Sequence, residues 1–318
     1  MNDSFAVLCP GQGCQRAGML RLVENEPAAR PVLAALRAQI GAEMLAMIAG
    51  EEGDAPDEIF ANAVAQPLVV AGAMAHWAAL RELGLPMPIA FLGYSVGELA
   101  AHGCAETFDV ETTLRLARAR ADAMDAAAAE SLPANGGGLL AVRGLPDAVL
   151  EELAREAGLE VAIDNGPMHR VLGGPTAALD AGERLAQNRG APTVRRLCVS
   201  VPAHTSWLQP ASLRFYETLS AAAARTPKAP VLAGIDGSPV RDAARSVETL
   251  SAQVSQPIRW AACLHTAWEL GARVFLELGP GDALSRMARE LLPLETEARS
   301  VSEFRTLDGV MSWINRAA

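Results

Sequence analysis

Short apolar runs alternate along this chain with longer stretches of helical periodicity. Phe5–Cys9, Ile89–Gly93, Val231–Ile235 and Val274–Leu278 are short, apolar and flanked by turn residues, as strands buried on both faces of a parallel sheet should be. Between them, Glu58–Leu83, Val110–Ala129 and Ser206–Ala224 carry apolar residues at helical spacing. The alternation predicts an α/β layer fold with helices on both faces of a sheet.

The middle of the chain has a different rhythm. Gly138–Arg143 reads as strand, Pro146–Ala157 as helix and Glu160–Asp164 as strand; Arg170–Gly173 then reads as strand, Thr176–Arg189 as helix and Thr193–Val199 as strand. That β-α-β-β-α-β order is the split, ferredoxin-like unit. The loop-forming run Pro133-Ala134-Asn135-Gly136-Gly137-Gly138 marks its entrance. The expected architecture is a hydrolase-like parallel-sheet core formed by residues 1–130 and 200–318. A ferredoxin-like small domain is inserted at 131–199.

Composition narrows the function classes. Half of the 318 residues are hydrophobic, enough for a large core, and the net charge is −10. Phosphate neutralisation needs a basic surface, so nucleic acid is not an expected partner. Cys9, Cys14, Cys104, Cys198 and Cys263 are odd in number and irregularly spaced, which suits reduced thiols rather than a disulfide framework. No continuous run of about 18 uncharged apolar residues is evident. Residues 1–10 have no basic stretch ahead of their apolar one. A cytoplasmic location is expected, with no membrane span. The histidines are dispersed and no HxxxH or CxxC pair occurs, so no metal site is expected. Gly11-Gln12-Gly13 lacks the third glycine of a dinucleotide fingerprint.

The strongest local signal is Gly93-Tyr94-Ser95-Val96-Gly97, between the apolar run Ile89–Leu92 and the helical Glu98-Leu99-Ala100-Ala101. A strand-to-helix elbow cramps the serine backbone, and flanking glycines relieve the clash. The hydroxyl then projects at a helix N-terminus, where the dipole favours a developing anion. Such a nucleophile needs a base. His76 lies in an apolar helix, where a packing role is expected. His102 follows Ser95 on the same helix and packs or faces solvent, His169 occupies a turn, and His265 falls in a helix. His204 follows the strand Arg196–Val201 and a proline, downstream of the serine as in hydrolase-type folds. Its position makes it the candidate base.

Taken together, these segments resemble the malonyl-CoA:acyl-carrier-protein transacylase family along nearly the whole chain. The matching stretches are Pro10-Gly11-Gln12-Gly13, Gly93–Glu98, Arg115–Arg120, Asp164-Asn165-Gly166-Pro167, Val199–His204, Gln253–Trp260 and Glu277-Leu278-Gly279-Pro280-Gly281. The resemblance implies ping-pong acyl transfer through an ester on Ser95, with His204 as general base and acid. It implies an oxyanion hole from the Gln12 and Val96 amides, and a Gln253 carbonyl orienting His204 in place of a triad aspartate. Asn165 falls in the pocket or histidine-orienting set. Arg120, 25 residues after Ser95, matches the residue that binds the free malonyl carboxylate, for which a guanidinium fork is suited. No cofactor is expected to be bound permanently. A coenzyme A thioester is the donor and the prosthetic-group thiol of an acyl carrier protein the acceptor. Arg195 and Arg196 are candidates for the basic patch a carrier would need. Two departures stand out, because Tyr94 replaces a histidine and Cys14 a serine of fatty-acid-synthesis members. The Gly-Tyr-Ser-Val-Gly-Glu form resembles the epsilon subunit of malonate decarboxylase, whose other subunits then join the expected partners. A transacylase of fatty-acid or polyketide synthesis is the alternative, and a serine thioesterase a further one.

Overall fold

A computed structural model describes residues 5–48, 57–134 and 136–317; Asn135 of the glycine-rich loop lies outside them. Its strands are β1 (Phe5–Cys9), β2 (Ala90–Gly93), β3 (Gly137–Arg143), β4 (Glu160–Asp164), β5 (His169–Pro175), β6 (Thr193–Arg196), β7 (Val231–Leu232), β8 (Pro239–Val240), β9 (Ile258–Arg259), β10 (Val274–Glu277) and β11 (Glu297–Ser300). Six of them form one sheet in the order β11-β10-β1-β2-β7-β8. All neighbours in it pair parallel except β7 and β8. Its central strands β1, β2 and β10 are buried at every position, which is why β1 and β2 read as unbroken apolar runs and β10 as an apolar run interrupted only by the buried Glu277. The sheet sits at the heart of a core that includes Leu8, Phe91 and Phe275.

The second sheet has the order β6-β3-β5-β4-β9. Its first four strands are antiparallel neighbours in the arrangement of a ferredoxin-like unit. The helices Asp147–Ala157 and Thr176–Asn188 close a separate small core of Leu140, Val142, Leu150, Leu153, Leu172 and Leu179. The fifth strand, β9, arrives from a distant part of the chain and pairs parallel with β4.

Several elements differ from the sequence expectation. The helix expected over Glu58–Leu83 is a 3-10 turn, Asp57–Phe60, followed by Asn62–Glu82, because Ala61 between them is extended. Likewise Ser206–Leu208 is a 3-10 turn before the helix Gln209–Ser220, which carries a proline in its first turn. Strand β7 stops at Leu232 because the Gly234 amide donates to the Glu98 carboxyl and its carbonyl accepts from the Arg259 amide. Strand β6 stops at Arg196 rather than continuing to Val199 or Val201. After one further bond, from Leu197 to Leu139, the chain leaves the sheet toward Pro202, which has no amide to donate. His169 opens β5 instead of lying in a turn. β11, with the sequence Glu-Ala-Arg-Ser, gives no apolar signal.

The helix Asn62–Glu82 is long and apolar enough to cross a bilayer, but 83% of its apolar window is buried inside the molecule. It packs against the helices Arg30–Ile40, Gly97–Cys104 and Val110–Ser131, and is a core helix. Of its polar residues Asn62, Gln66 and His76 are buried, while Arg81 and Glu82 at its end are exposed. The prediction from this packing is that Phe275→Ala, at the sheet centre, lowers unfolding free energy in urea by about 3–5 kcal/mol. Leu213→Ala, on an exposed position of the helix Gln209–Ser220, should stay within about 0.5 kcal/mol.

Candidate active site

Strand β2 ends at Gly93, and the helix Gly97–Cys104 begins four residues later. Ser95 lies between them with φ +56°, in the left-handed region. The elbow is tightly wedged. A Cβ on Gly93 would sit 2.1 Å from the Glu98 backbone, and one on Gly97 would sit 2.1 Å from the Cys9 carbonyl oxygen. Glycine at both places is therefore a steric requirement of bringing β1, β2 and the helix together.

The Ser95 hydroxyl lies 2.8 Å from His204 Nε2. His204 also has a left-handed backbone, φ +65°, and its amide donates to the Val254 carbonyl. Its Nδ1 bonds the Gln253 carbonyl oxygen. A carbonyl can only accept, so Nδ1 carries the proton and Nε2 presents a lone pair to the serine hydroxyl. The place of a triad acid is thus filled by a backbone carbonyl. Asp164, one of the acidic residues between the serine and the histidine in sequence, lies on β4 of the small sheet, where it accepts from the Gly166 amide and pairs with Arg170 at 2.8 Å. Burial, with the nearby Arg120 charge, lowers the His204 pKa to about 3, partly opposed by the Gln253 bond. The ring is neutral at physiological pH and able to take a proton.

Arg120, from the helix Val110–Ser131, is 1% exposed. Its Nη1 donates to Gln66 Oε1 at 2.9 Å and lies 3.1 Å from Met124 Sδ, and its Nη2 donates to Gln253 Oε1 at 3.1 Å. Nε is buried without a partner, and among the described residues no carboxylate forms an ion pair with this guanidinium. Arg115 and Arg118 from the same helix make exposed local contacts with Thr112 and Asp122 instead. Gln253 therefore touches both halves of the site, and its Nε2 also donates to the Ser95 carbonyl at 2.9 Å and to Glu98 Oε2 at 3.3 Å.

Among the described residues, the Gln12 and Val96 amides donate no hydrogen bond. The Gln12 side chain is held by Asn62 Oδ1 at 2.9 Å. Asn165 is buried, accepting from the Tyr94 hydroxyl at 3.1 Å and lying 3.3 Å from His169 Nε2; it contacts the elbow rather than His204. Tyr94 stacks edge-on against Trp260, with ring centroids 5.3 Å apart. His76 and His102 are buried and bonded to the Gly72 carbonyl and the Thr107 hydroxyl, so His102 packs, and His265 is exposed. Arg196 pairs with Asp180 and Glu183, which neutralise its charge locally, while Arg195 is exposed. Among the described residues no cluster of three or more potential metal ligands occurs. Gln66 and Glu98 were without an assigned role in the sequence. Gln66 had one signal, a polar residue inside an otherwise apolar helix, and Glu98 an ionisable residue in the first turn after the elbow.

A serine hydroxyl on a strained elbow, a neutral imidazole and free amides can carry out nucleophilic acyl chemistry. The chain belongs to the acyl transferase domain family, whose model matches residues 6–302. It is 33% identical over 309 residues to a malonyl CoA-acyl carrier protein transacylase of Mycobacterium bovis, covering 96% of this chain and 98% of that protein. An acyl-carrier-protein S-malonyltransferase structure from Burkholderia pseudomallei superposes with a TM-score of 0.88 at 29% identity, covering 97% of this chain and 99% of that one. A second solved structure, a malonyl-transacylase in complex with its type II polyketide acyl-carrier protein, has a TM-score of 0.88 at 25% identity, covering 97% and 99%.

The low His204 pKa sets a direction for titration. An imidazole that resists protonation stays competent as a base well below pH 6.5, the ordinary histidine value. In a ring-proton NMR titration, the His204 signal should keep its neutral shift down to about pH 5. A midpoint at or above 6.5 would contradict the environment described.

Proposed function

We propose that this acyltransferase moves a malonyl group from malonyl-CoA to the prosthetic-group thiol of an acyl carrier protein through an ester on Ser95. His204 takes the serine proton as Oγ attacks the thioester carbonyl, and returns it to the departing coenzyme A thiolate. The Gln12 and Val96 amides receive the tetrahedral oxyanion, and Asn165 supports the elbow through Tyr94. Arg120 holds the malonyl carboxylate through two parallel bonds. In the second half-reaction the carrier thiol replaces the serine oxygen by the same steps in reverse. In this reading residues 1–130 and 200–318 form the catalytic domain and 131–199 the small one, and no resident cofactor takes part.

One observation carries the reading. A fully buried guanidinium without an acidic ion-pair partner among the described residues shares Gln253 with the Ser95–His204 pair. A buried charge left in that condition is costly, and a carboxylate-bearing acyl group supplies the missing partner. The relatives' names support the same donor and acceptor classes.

Two physiological settings fit this chemistry. Tyr94 and Cys14 support the malonate decarboxylase epsilon subunit, loading a dedicated carrier in the cytoplasm with that complex's other subunits as partners. The transacylase names of the relatives support fatty-acid or polyketide synthesis. Transfer assays with both kinds of carrier protein separate them, and the preferred acceptor identifies the setting. The Gln253 carbonyl at His204 Nδ1 speaks against a thioesterase of acid-triad type.

Intact-mass analysis after mixing with malonyl-CoA is expected to show a malonyl adduct on the native protein and none on Ser95→Ala; an adduct on the variant would place the nucleophile elsewhere. Arg120→Ala should lower malonyl transfer by roughly 10²-fold or more and leave acetyl transfer far less affected. Equal losses with both donors would refute the role given to Arg120.

A further inference from the structure

Glu98 follows the elbow on the helix Gly97–Cys104 and is completely buried. Its Oε2 accepts from the Gly234 amide at 2.9 Å and from Gln253 Nε2 at 3.3 Å, whereas Oε1 has no partner among the described residues. The same Gln253 side chain accepts from Arg120 through Oε1. One amide therefore separates a buried carboxyl from a buried guanidinium, and each of those groups keeps one unpartnered polar atom, Glu98 Oε1 and Arg120 Nε. The charged and titratable neighbours around Glu98 are few. Arg120 comes from the helix Val110–Ser131, Asp236 from the loop after β7, and Cys263 from the helix Trp260–Glu269. Asp236 is itself paired to Arg245, and His204 lies on the far side of Gln253. His102, on the same helix, is buried and bonded to Thr107.

We infer that Glu98 is a proton acceptor coupled to Arg120 through Gln253: in whatever fraction it is ionised in the empty site, it takes up a proton when a substrate carboxylate binds to Arg120. Two negative charges around one buried guanidinium are more than it can balance in a medium of low dielectric. The incoming carboxylate would weaken its charge-assisted bonds to Arg120 by taking up a proton, whereas Glu98 has no such bond to lose, so Glu98 is the group that becomes neutral. Geometry selects the atom. Oε2 is engaged by two N–H donors, and Oε1 is free to bear the hydrogen. Burial already raises the Glu98 pKa to about 8, with the Gly234 amide and Arg120 opposing the rise. A carboxylate on Arg120 removes part of that opposition and raises the pKa further. The proton comes from solvent. The sign follows directly: the bound state holds more protons than the free state, so carboxylate affinity weakens as pH rises through the Glu98 range.

This inference rests on the reading of Arg120 as the carboxylate site. Titration calorimetry of malonyl-CoA and acetyl-CoA into the Ser95→Ala protein, in buffers of different ionisation enthalpy, tests both. Malonyl-CoA should bind with an uptake that grows from near zero around pH 6.5 to a large fraction of one proton around pH 8.5. Its Kd should rise up to about tenfold per pH unit over the upper part of that range. Acetyl-CoA should bind with neither effect. Adding Glu98→Gln should abolish the uptake and flatten the pH dependence while malonyl-CoA still binds more tightly than acetyl-CoA. Should that variant fail to fold, difference infrared spectra of the Glu98-containing protein provide the readout, as a protonated-carboxyl band must appear on binding malonyl-CoA and not acetyl-CoA. Tighter malonyl-CoA binding without proton uptake, or uptake that survives Glu98→Gln, overturns the role of Glu98 and leaves Arg120 in place. Equal affinity for the two thioesters overturns both.

Discussion

Gln253 is the residue on which the candidate site's geometry depends, because its main chain and its side chain hold different groups of that site. The carbonyl fixes the tautomer of His204, and the amide group holds Arg120, the Ser95 carbonyl and Glu98 together. Gln253 ends the helix Ala243–Ala252, and its own amide donates to the Thr249 carbonyl. The neighbouring Val254 carbonyl receives the His204 amide. Serine, imidazole and guanidinium are thus referenced to one short, buried piece of backbone rather than to three independent loops. Such preorganisation limits the rearrangement left for the moment of reaction.

The energetic tension in the molecule lies in Arg120. Removing a guanidinium from water is expensive, and neutral acceptors such as Gln66 and Gln253 compensate only in part. Desolvation lowers its pKa to about 10 even with Glu98 nearby. The cost is borne by the surrounding packing, an apolar core spanning both faces of the large sheet. Backbone strain is placed in the same small region, with both Ser95 and His204 at positive φ, each conformation costing on the order of 1–2 kcal/mol. The site is locally unfavourable and globally supported.

Much of this was legible in the residue pattern, for reasons that can be named. β1 and β2 are continuous apolar runs because both faces are covered. The small sheet was legible because its helices alternate with strands at regular spacing. The elbow stood out because it demands glycine on either side of Ser95. β11 and β9 were not visible, since Glu297–Ser300 has the composition of a loop and Ile258–Arg259 is only two residues long. The ends of β6 and β7 were overextended because apolar character persists beyond the last ladder bond; tertiary partners, Glu98 for Gly234 among them, decide where pairing stops. The convergence of Glu98, Gln66 and Gln253 on Arg120 spans 188 positions of sequence, from Gln66 to Gln253 inclusive, and no local periodicity encodes it.

The pairing of β9 with β4 has a consequence for solubility. A four-stranded sheet inserted into a larger protein would have two open margins, each a template for recruitment of a stray strand. Here one margin is moved onto the two-residue strand at Ile258–Arg259, too short to template another, and the other, β6, is short and ends in Arg195 and Arg196. The exposed Arg195 on that outer strand puts a charge in the path of a second copy approaching in the same register. The inserted sheet is therefore guarded against edge-to-edge aggregation by a borrowed strand on one side and by charge on the other.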